Sequence, residues 1–281
     1  VALTLPITLA VLFGALLHAA WNAMVKRGGD PLIELALVTA GASLLSLPLL
    51  PLLPFPPAAA WPFLVASIVI RAGYYATVIG TYRHADLSVG YPLMRGSAPL
   101  LVTLAGVLLL GEHPTPSMWA GIVLICGGVI SLLLAGGHRA GARGRATGYA
   151  LANASLIAAY TLVDAAGARA SGTAAGYVLW MFFLEGLPFS AFLLLTRGNE
   201  FVAAARSRWP TALAGGACSA LSYGIAVWAM TVAPVGAVSA LRETSVVFAL
   251  ALGAWLLNER VGPRRWAGVA TVLAGAITLS V

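Results

Sequence analysis

The chain has 281 residues, of which 60% are hydrophobic and only 9% charged, with a formal net charge of +7. Soluble domains carry about 25% charged residues, so this composition excludes a soluble fold and reads as an integral membrane protein. The positive balance does not indicate nucleic acid, because the basic residues stand between apolar runs and form no stripe along one element; they read as topology signals.

A membrane-crossing helix needs about 20 mostly apolar residues. Ten runs of that kind follow one another, over 4–25, 31–53, 60–82, 88–110, 117–135, 147–169, 173–195, 209–231, 236–257 and 263–280, joined by short connections. The first carries His18 and Asn22 and lacks a signal-peptide cleavage pattern, so it is expected to be retained as a span. Cys126 and Cys218 fall inside apolar runs and read as small packing residues. The basic loop His138–Arg145 marks the midpoint and divides the chain into 1–137 and 138–281, each with five runs.

The two halves share a sequence. Residues 106–121, GVLLLGEHPTPSMWAG, match residues 253–268, GAWLLNERVGPRRWAG, at eight of sixteen positions and a constant offset of 147. The matched Glu112/Glu259, Pro116/Pro263 and Trp119/Trp266 cannot be credited to apolar composition, so the chain reads as a duplication. An odd number of spans per copy forces the second copy to enter the membrane from the opposite side. The result is an inverted repeat, the plan of many secondary transporters. The expected fold is therefore all-α: ten transmembrane helices in two inverted five-helix repeats around a central cavity.

Charge sets the orientation. The loops between runs 1–2, 3–4, 5–6, 7–8 and 9–10 hold Lys26, Arg27, Arg83, Arg139, Arg143, Arg145, Arg197, Arg206, Arg208, Arg260, Arg264 and Arg265, and the other side holds only Arg169. The positive-inside rule places the first set in the cytoplasm and both termini outside.

Ionisable groups inside spans are costly and mark pathways or ion pairs. Arg71, Arg95, Glu185, Arg242 and Glu243 are the clearest, and Asp164 is expected to form a solvated pair with Arg169 at a span end. Helical spacing places His18, Trp21 and Asn22 on one face of run 1. It does the same for Arg71, Tyr74 and Tyr75 in run 3, and for Tyr91, Met94 and Arg95 in run 4. Asn153, Tyr160 and Asp164 share a face in run 6, Ser222 and Tyr223 in run 8, and Ser239, Arg242 and Glu243 in run 9. In hydrocarbon these faces turn inward, towards a central aromatic-lined, substrate-binding cavity. Arg95 and Arg242 correspond at the same offset of 147 and are expected one toward each mouth. Pro92 and Pro99 should make run 4 the more bent of the two corresponding spans. Glu112 and Glu259 are structural, each expected at the positive end of the helix that follows it.

The segment Leu110-Gly111-Glu112-His113-Pro114-Thr115-Pro116 with Trp119-Ala120-Gly121, and its second copy around Glu259 and Pro263, resembles the junction of spans 4 and 5 in EamA-type members of the drug/metabolite transporter superfamily. The stretch from Leu87 to Pro99, with Tyr91-Pro92-Leu93-Met94-Arg95, is similar to the amino-acid exporter branch, including YddG-like exporters. The resemblance implies the ten-helix fold of that superfamily and a bacterial inner-membrane secondary transporter. Its small-molecule substrates would be amino acids, aromatic or otherwise apolar, exported by alternating access. Another metabolite or drug, such as a nucleotide sugar or a small anion, is the alternative within the superfamily. A membrane-embedded enzyme is the alternative outside it, but no G-x-S-x-G, H-E-x-x-H or Walker pattern occurs. No cofactor is implied, and the partners expected are substrate and bilayer for a monomer.

A tag on either terminus should be reached by an impermeant reagent added outside intact cells. Access only from the cytoplasmic side would contradict the charge-derived topology.

Overall fold

A computed structural model describes residues 3–84, 87–134, 143–257 and 262–280. Regular structure among them is helical throughout. The helices are α1 (Leu5–Lys26), α2 (Pro31–Ser46, continued by a 3-10 stretch Leu47–Leu52), α3 (Trp61–His84), α4 (Leu87–Leu110), α5 (Pro116–Leu134), α6 (Arg143–Ala170), α7 (Ala174–Val232), α8 (Val235–Arg242), α9 (Ser245–Leu257) and α10 (Pro263–Ser280). Six helical stretches are long and apolar enough to cross a membrane, and shorter apolar stretches lie in α4 and α5. As one rod, the 59 residues of α7 would span about 90 Å at 1.5 Å per residue, far more than a bilayer. Non-helical backbone at Arg197 and Arg208 divides it into two arms, which cover runs 7 and 8.

The distribution of polarity is inverted relative to a soluble protein. Leu108 and Leu195 are 81% and 88% exposed, whereas Asp164, Glu185 and Glu243 are 0%, 4% and 4% exposed. Water would penalise that arrangement. A hydrocarbon solvent favours it, because leucine costs nothing against lipid and a charge is tolerated there only when paired inside.

Small residues let the helices close on one another. Gly121 of α5 faces Gly275 of α10 and Gly128 faces Gly268, so the two helices run antiparallel. A Cβ added to Gly275 would lie 2.8 Å from both the Gly121 carbonyl and the Ile125 nitrogen. Gly14 of α1 meets the second arm of α7, where Ser222 Oγ donates to the Gly14 carbonyl at 2.7 Å. Asn153 of α6 donates to the Tyr74 carbonyl at 3.1 Å and to Thr77 Oγ1 at 2.8 Å, joining α6 to α3. α4 also packs on α6, and α1 also packs on α8 and α9. α2 is clasped by both arms of α7: Ser43 Oγ donates to the Phe183 carbonyl at 2.9 Å, and Gly41 lies against the Ala212 carbonyl.

Helix ends follow local chemistry. Asp30 caps α2 by accepting from Leu32 N and Ile33 N at 2.9 and 3.1 Å, with Pro31 in the first turn where its missing N–H costs nothing. Thr115 caps α5 through Met118 N at 3.2 Å, and Pro116 opens that helix. The segment between the arms of α7 returns to α2 through Arg197–Asp30 at 2.7 Å and Arg208–Glu34 at 3.1 Å. On the exposed side, hydrogen bonds from Arg197 hold the Glu200 carboxyl below the usual carboxylate range.

Two expectations are corrected. Glu112 does not serve the start of its own following helix: its Oε1 accepts from Val235 N at 2.9 Å, at the start of α8, with Arg169 Nη2 3.8 Å away. The matched loop thus reaches across to the other half of the chain. Glu259 lies outside the described residues. The discontinuity falls in run 9 and not in run 4. α4 continues through Pro92 and Pro99, with Thr103 Oγ1 donating to the Pro99 carbonyl at 2.7 Å, the kind of side-chain satisfaction that lets proline stay in a membrane helix. Run 9 breaks at Glu243–Thr244 instead. Glu243 N and Thr244 N bond three residues back, and Thr244 Oγ1 takes the Leu241 carbonyl at 2.7 Å. A threonine side chain competing for backbone acceptors disrupts a helix without any proline.

Gly275→Ala should lower the melting temperature in detergent, by about 1–3 kcal/mol of overpacking. Gly127→Ala, whose new Cβ meets nothing within 4 Å, should leave it unchanged. Equal effects would contradict the glycine contact between α5 and α10.

Candidate functional site

The buried charges gather in two groups around one cavity of about 110 Å³. The first group is centred on Arg71 of α3. Its Nη2 pairs with Asp164 of α6 at 2.9 Å and its Nη1 with Glu185 of α7 at 3.5 Å, and its Nε donates to Ser67 at 3.2 Å. Asp164 is fully provided for. Tyr177 donates to its Oδ1 at 2.9 Å and Tyr223 to its Oδ2 at 2.5 Å. Glu185 is not: Tyr75 donates to Oε1 at 2.7 Å, the oxygen that also meets Arg71, while Oε2 is buried without a hydrogen-bond partner among the described residues. The Arg71 guanidinium lies over the rings of Tyr160 and Tyr223, at 4.4 and 4.7 Å from their centroids, where ring quadrupoles help to hold a cation that water has left.

The second group lies at the break between α8 and α9. Arg95 of α4 makes a two-point pair with Glu243, Nη2 to Oε1 at 3.0 Å and Nε to Oε2 at 3.1 Å. The Nε contact is a charge-assisted hydrogen bond, and the Nη2 approach adds an ion pair. Arg242 ends α8, where the helix dipole favours a cation. Its guanidinium sits 5.0 Å from the Tyr223 centroid, and no carboxylate among the described residues comes within ion-pair distance of it. Tyr223 therefore stands between the two groups, with an arginine of each beside its ring.

Most of the expected cavity residues meet. His18, Trp21, Asn22, Arg71, Tyr74, Tyr75, Arg95, Tyr160, Tyr223 and Arg242 all line the cavity. His18 and Trp21 stack edge to face at 5.1 Å, and Asn22 Nδ2 donates to the His18 carbonyl at 2.7 Å. The remaining ones are placed differently. Asn153 and Ser222 join helices through the bonds given above, Met94 and Ser239 are buried, and Glu243 is turned to Arg95. The side chains of Tyr91 and Pro92 lie outside the described residues.

Two further readings are corrected. Arg95 and Arg242 do not stand apart at opposite mouths: Arg95 pairs with Glu243, the residue next to Arg242, and both arginines line the cavity. Asp164 is no solvated partner of Arg169. It is completely buried on Arg71, and Arg169 donates instead to the Met230 carbonyl at 2.7 Å. Sequence reasoning also missed the contribution of α2, whose Leu35, Val38 and Thr39 line the cavity, and that of Phe182. Their spacing carries no polar signal. Glu185 stands out in the sequence as a charge within a span, with nothing to set it apart from the other buried charges. Only the position of its second oxygen distinguishes it.

The EamA-like transporter family model matches residues 5–134 and 146–281. An uncharacterized transporter of Bacillus subtilis, YwfM, is 22% identical over 221 residues, which cover 79% of this chain and 74% of that protein. The uncharacterized protein PA1977 of Pseudomonas aeruginosa is 29% identical over 204 residues, 72% of this chain and 68% of its own. One solved crystal structure, 17% identical, superposes with a TM-score of 0.74 over 97% of this chain and 94% of its own, a likeness of fold.

Removing one partner of a buried ion pair strands the other charge, at a cost of about 3–5 kcal/mol. Asp164→Ala should therefore lower the melting temperature sharply, while Glu200→Ala, in an exposed pair, should barely change it. A mild effect of Asp164→Ala would contradict its role as the principal counter-ion of Arg71.

Proposed function

Because the chain belongs to the EamA-like transporter family, whose members are membrane transporters, we propose that it is an inner-membrane secondary transporter that exports small zwitterionic amino acids by alternating access. Its architecture in this reading is ten spans in two inverted halves, 1–137 and 138–281. Exchanging the halves maps several of the main helix contacts onto one another, which supports the inversion. The α1 contact with the second arm of α7 corresponds to that of α6 with α3. The α1 contact with α8 and α9 corresponds to that of α6 with α4, and α5 pairs with its own counterpart α10. Antiparallel glycine contacts at Gly121/Gly275 and Gly128/Gly268 are what a two-fold axis in the membrane plane produces.

The observation that carries the substrate class is the uneven charge of the two groups. One cation, Arg71, faces two carboxylates, Asp164 and Glu185, in the first group. The second group has two cations, Arg95 and Arg242, and one carboxylate, Glu243. With these residues ionised, the first group has one negative charge in excess and the second one positive. An ammonium placed at Glu185 and a carboxylate placed at Arg242 complete both groups, and a zwitterion brings the two together without net charge. A lipophilic cation satisfies only one group, and a small anion only the other.

Size points the same way. The cavity, about 110 Å³, is smaller than the roughly 300–1,000 Å³ of pockets that enclose drug-sized ligands, which favours a small amino acid over a nucleotide sugar. The aromatic walls suit an apolar side chain. The break beside Arg242 makes run 9 a broken helix at the site, the construction that lets transporters bind polar groups at mid-membrane and rock one half against the other.

Proteoliposomes containing the protein should move labelled L-alanine and L-valine, and should not move a labelled nucleotide sugar or an organic cation. Arg242→Ala should reduce alanine flux more than tenfold at an unchanged melting temperature. Transport of the nucleotide sugar in place of amino acids, or full flux in folded Arg242→Ala, would overturn the reading.

A further inference from the structure

We propose that Glu185 is the proton site of the transporter, and that a proton and the substrate ammonium are alternative ligands of its second oxygen. The proposal rests on the amino-acid reading above and extends it to the coupling ion. Three observations lead to it. The residue is 4% exposed, yet Oε2 has no hydrogen-bond partner among the described residues, while the contacts of the group with Tyr75 and Arg71 both fall on Oε1. Arg71 lies closer to Asp164, at 2.9 Å, than to Glu185, at 3.5 Å, and Asp164 also receives two tyrosine hydroxyls. Of the two carboxylates sharing one cation, Glu185 has the longer ion pair and the fewer hydrogen bonds. Unlike Asp164, Glu185 lines the cavity, so a proton can reach it by the substrate's own route.

The surroundings leave few competitors. α3 presents Arg71 and Tyr75, α6 presents Asp164 and Tyr160, and the second arm of α7 presents Tyr223. α2 packs beside Gly186 with Thr39 and Ser43, and its acidic residues, Asp30 and Glu34, are engaged by Arg197 and Arg208. His18 of α1, Arg95 of α4 and Arg242 of α8 line the same cavity. Tyrosines keep their protons through the physiological range, so among the described residues at the cavity Glu185 and His18 are the two groups to distinguish.

The exchange balances. In the empty carrier Glu185 holds a proton, which cancels the excess negative charge of its group. When the zwitterion binds, the O–H bond breaks and the proton leaves to the side on which the cavity is open. The carboxylate then faces the substrate ammonium, and the substrate carboxylate faces Arg242. After outward release the carboxylate takes a proton from outside, and the protonated carrier returns. Each cycle carries one amino acid out and one proton in, moving one positive charge inward. An inside-negative potential therefore drives export.

The test is calorimetric titration of purified protein with L-alanine, in buffers of different ionisation enthalpy, across a range of pH. The wild type should release about one proton per alanine bound at the acidic end, and there its affinity should fall about tenfold per pH unit, as one-proton competition requires. Folded Glu185→Gln should bind alanine more weakly or not at all, and should release no proton. Glu185→Asp should keep the release and shift the pH range over which affinity falls. Three outcomes overturn the proton site: alanine binding without proton release in the wild type, release that persists in Glu185→Gln (as it would if His18 carried the proton), or a Glu185→Asp profile identical to the wild type. Failure of the wild type to bind alanine at any pH would instead reject the amino-acid reading on which the proposal rests.

Discussion

The link from Arg71 to Asp164 and Glu185 is the constraint on which the site depends. It joins α3, α6 and α7 through side chains almost wholly removed from solvent, so each member is tolerated because the others are present. Tyr177 and Tyr223 fasten Asp164, and Tyr223 in turn supports both Arg71 and Arg242. Position and charge are thereby coupled. Asp164 spends its bonding capacity on structure, and Glu185 keeps one oxygen in reserve at the cavity.

The second constraint is the break in run 9. An unbroken helix would carry Arg242 and Glu243 past the cavity at fixed angles. Ending α8 at Arg242 and restarting at Ser245 lets consecutive residues act separately. Glu243 is held by Arg95, and Arg242 is left without a carboxylate beside the cavity. The offset of 147 pairs the two arginines in sequence, yet their situations differ, because position 243 is a glutamate and its counterpart, position 96, is a glycine. The duplication supplied a matched pair of cations, and one nearby acidic residue made them unequal.

Much of this was legible in the sequence, for identifiable reasons. Apolar runs of membrane length locate helices because backbone groups in hydrocarbon must bond within the helix. Polar residues at helical spacing found ten residues of the cavity wall, because a membrane helix has few other places to put them. What escaped notice depended on partners far along the chain. Asp164 has Arg169 five positions away, but its true partner Arg71 is on another helix. Glu112 precedes α5 yet caps α8. Pro92 and Pro99 look like breaks, but α4 accommodates them, whereas Thr244 disrupts a helix with no proline nearby. The apolar wall from α2 carries no sequence mark, since Leu35 and Val38 look alike whether they face lipid or substrate.

The central claim is that two charge groups at one cavity carry opposite excess charge and so require both charges of a zwitterion. Its most direct test compares binding of L-alanine, L-alanine methyl ester and N-acetyl-L-alanine to the purified protein at neutral pH. The ester lacks the carboxylate that Arg242 would meet, and the N-acetyl compound lacks the ammonium that Glu185 would meet. The account requires alanine to bind well and both derivatives to lose at least tenfold in affinity. Equal binding of either derivative would show that one of the two groups plays no part in recognition and would contradict the account.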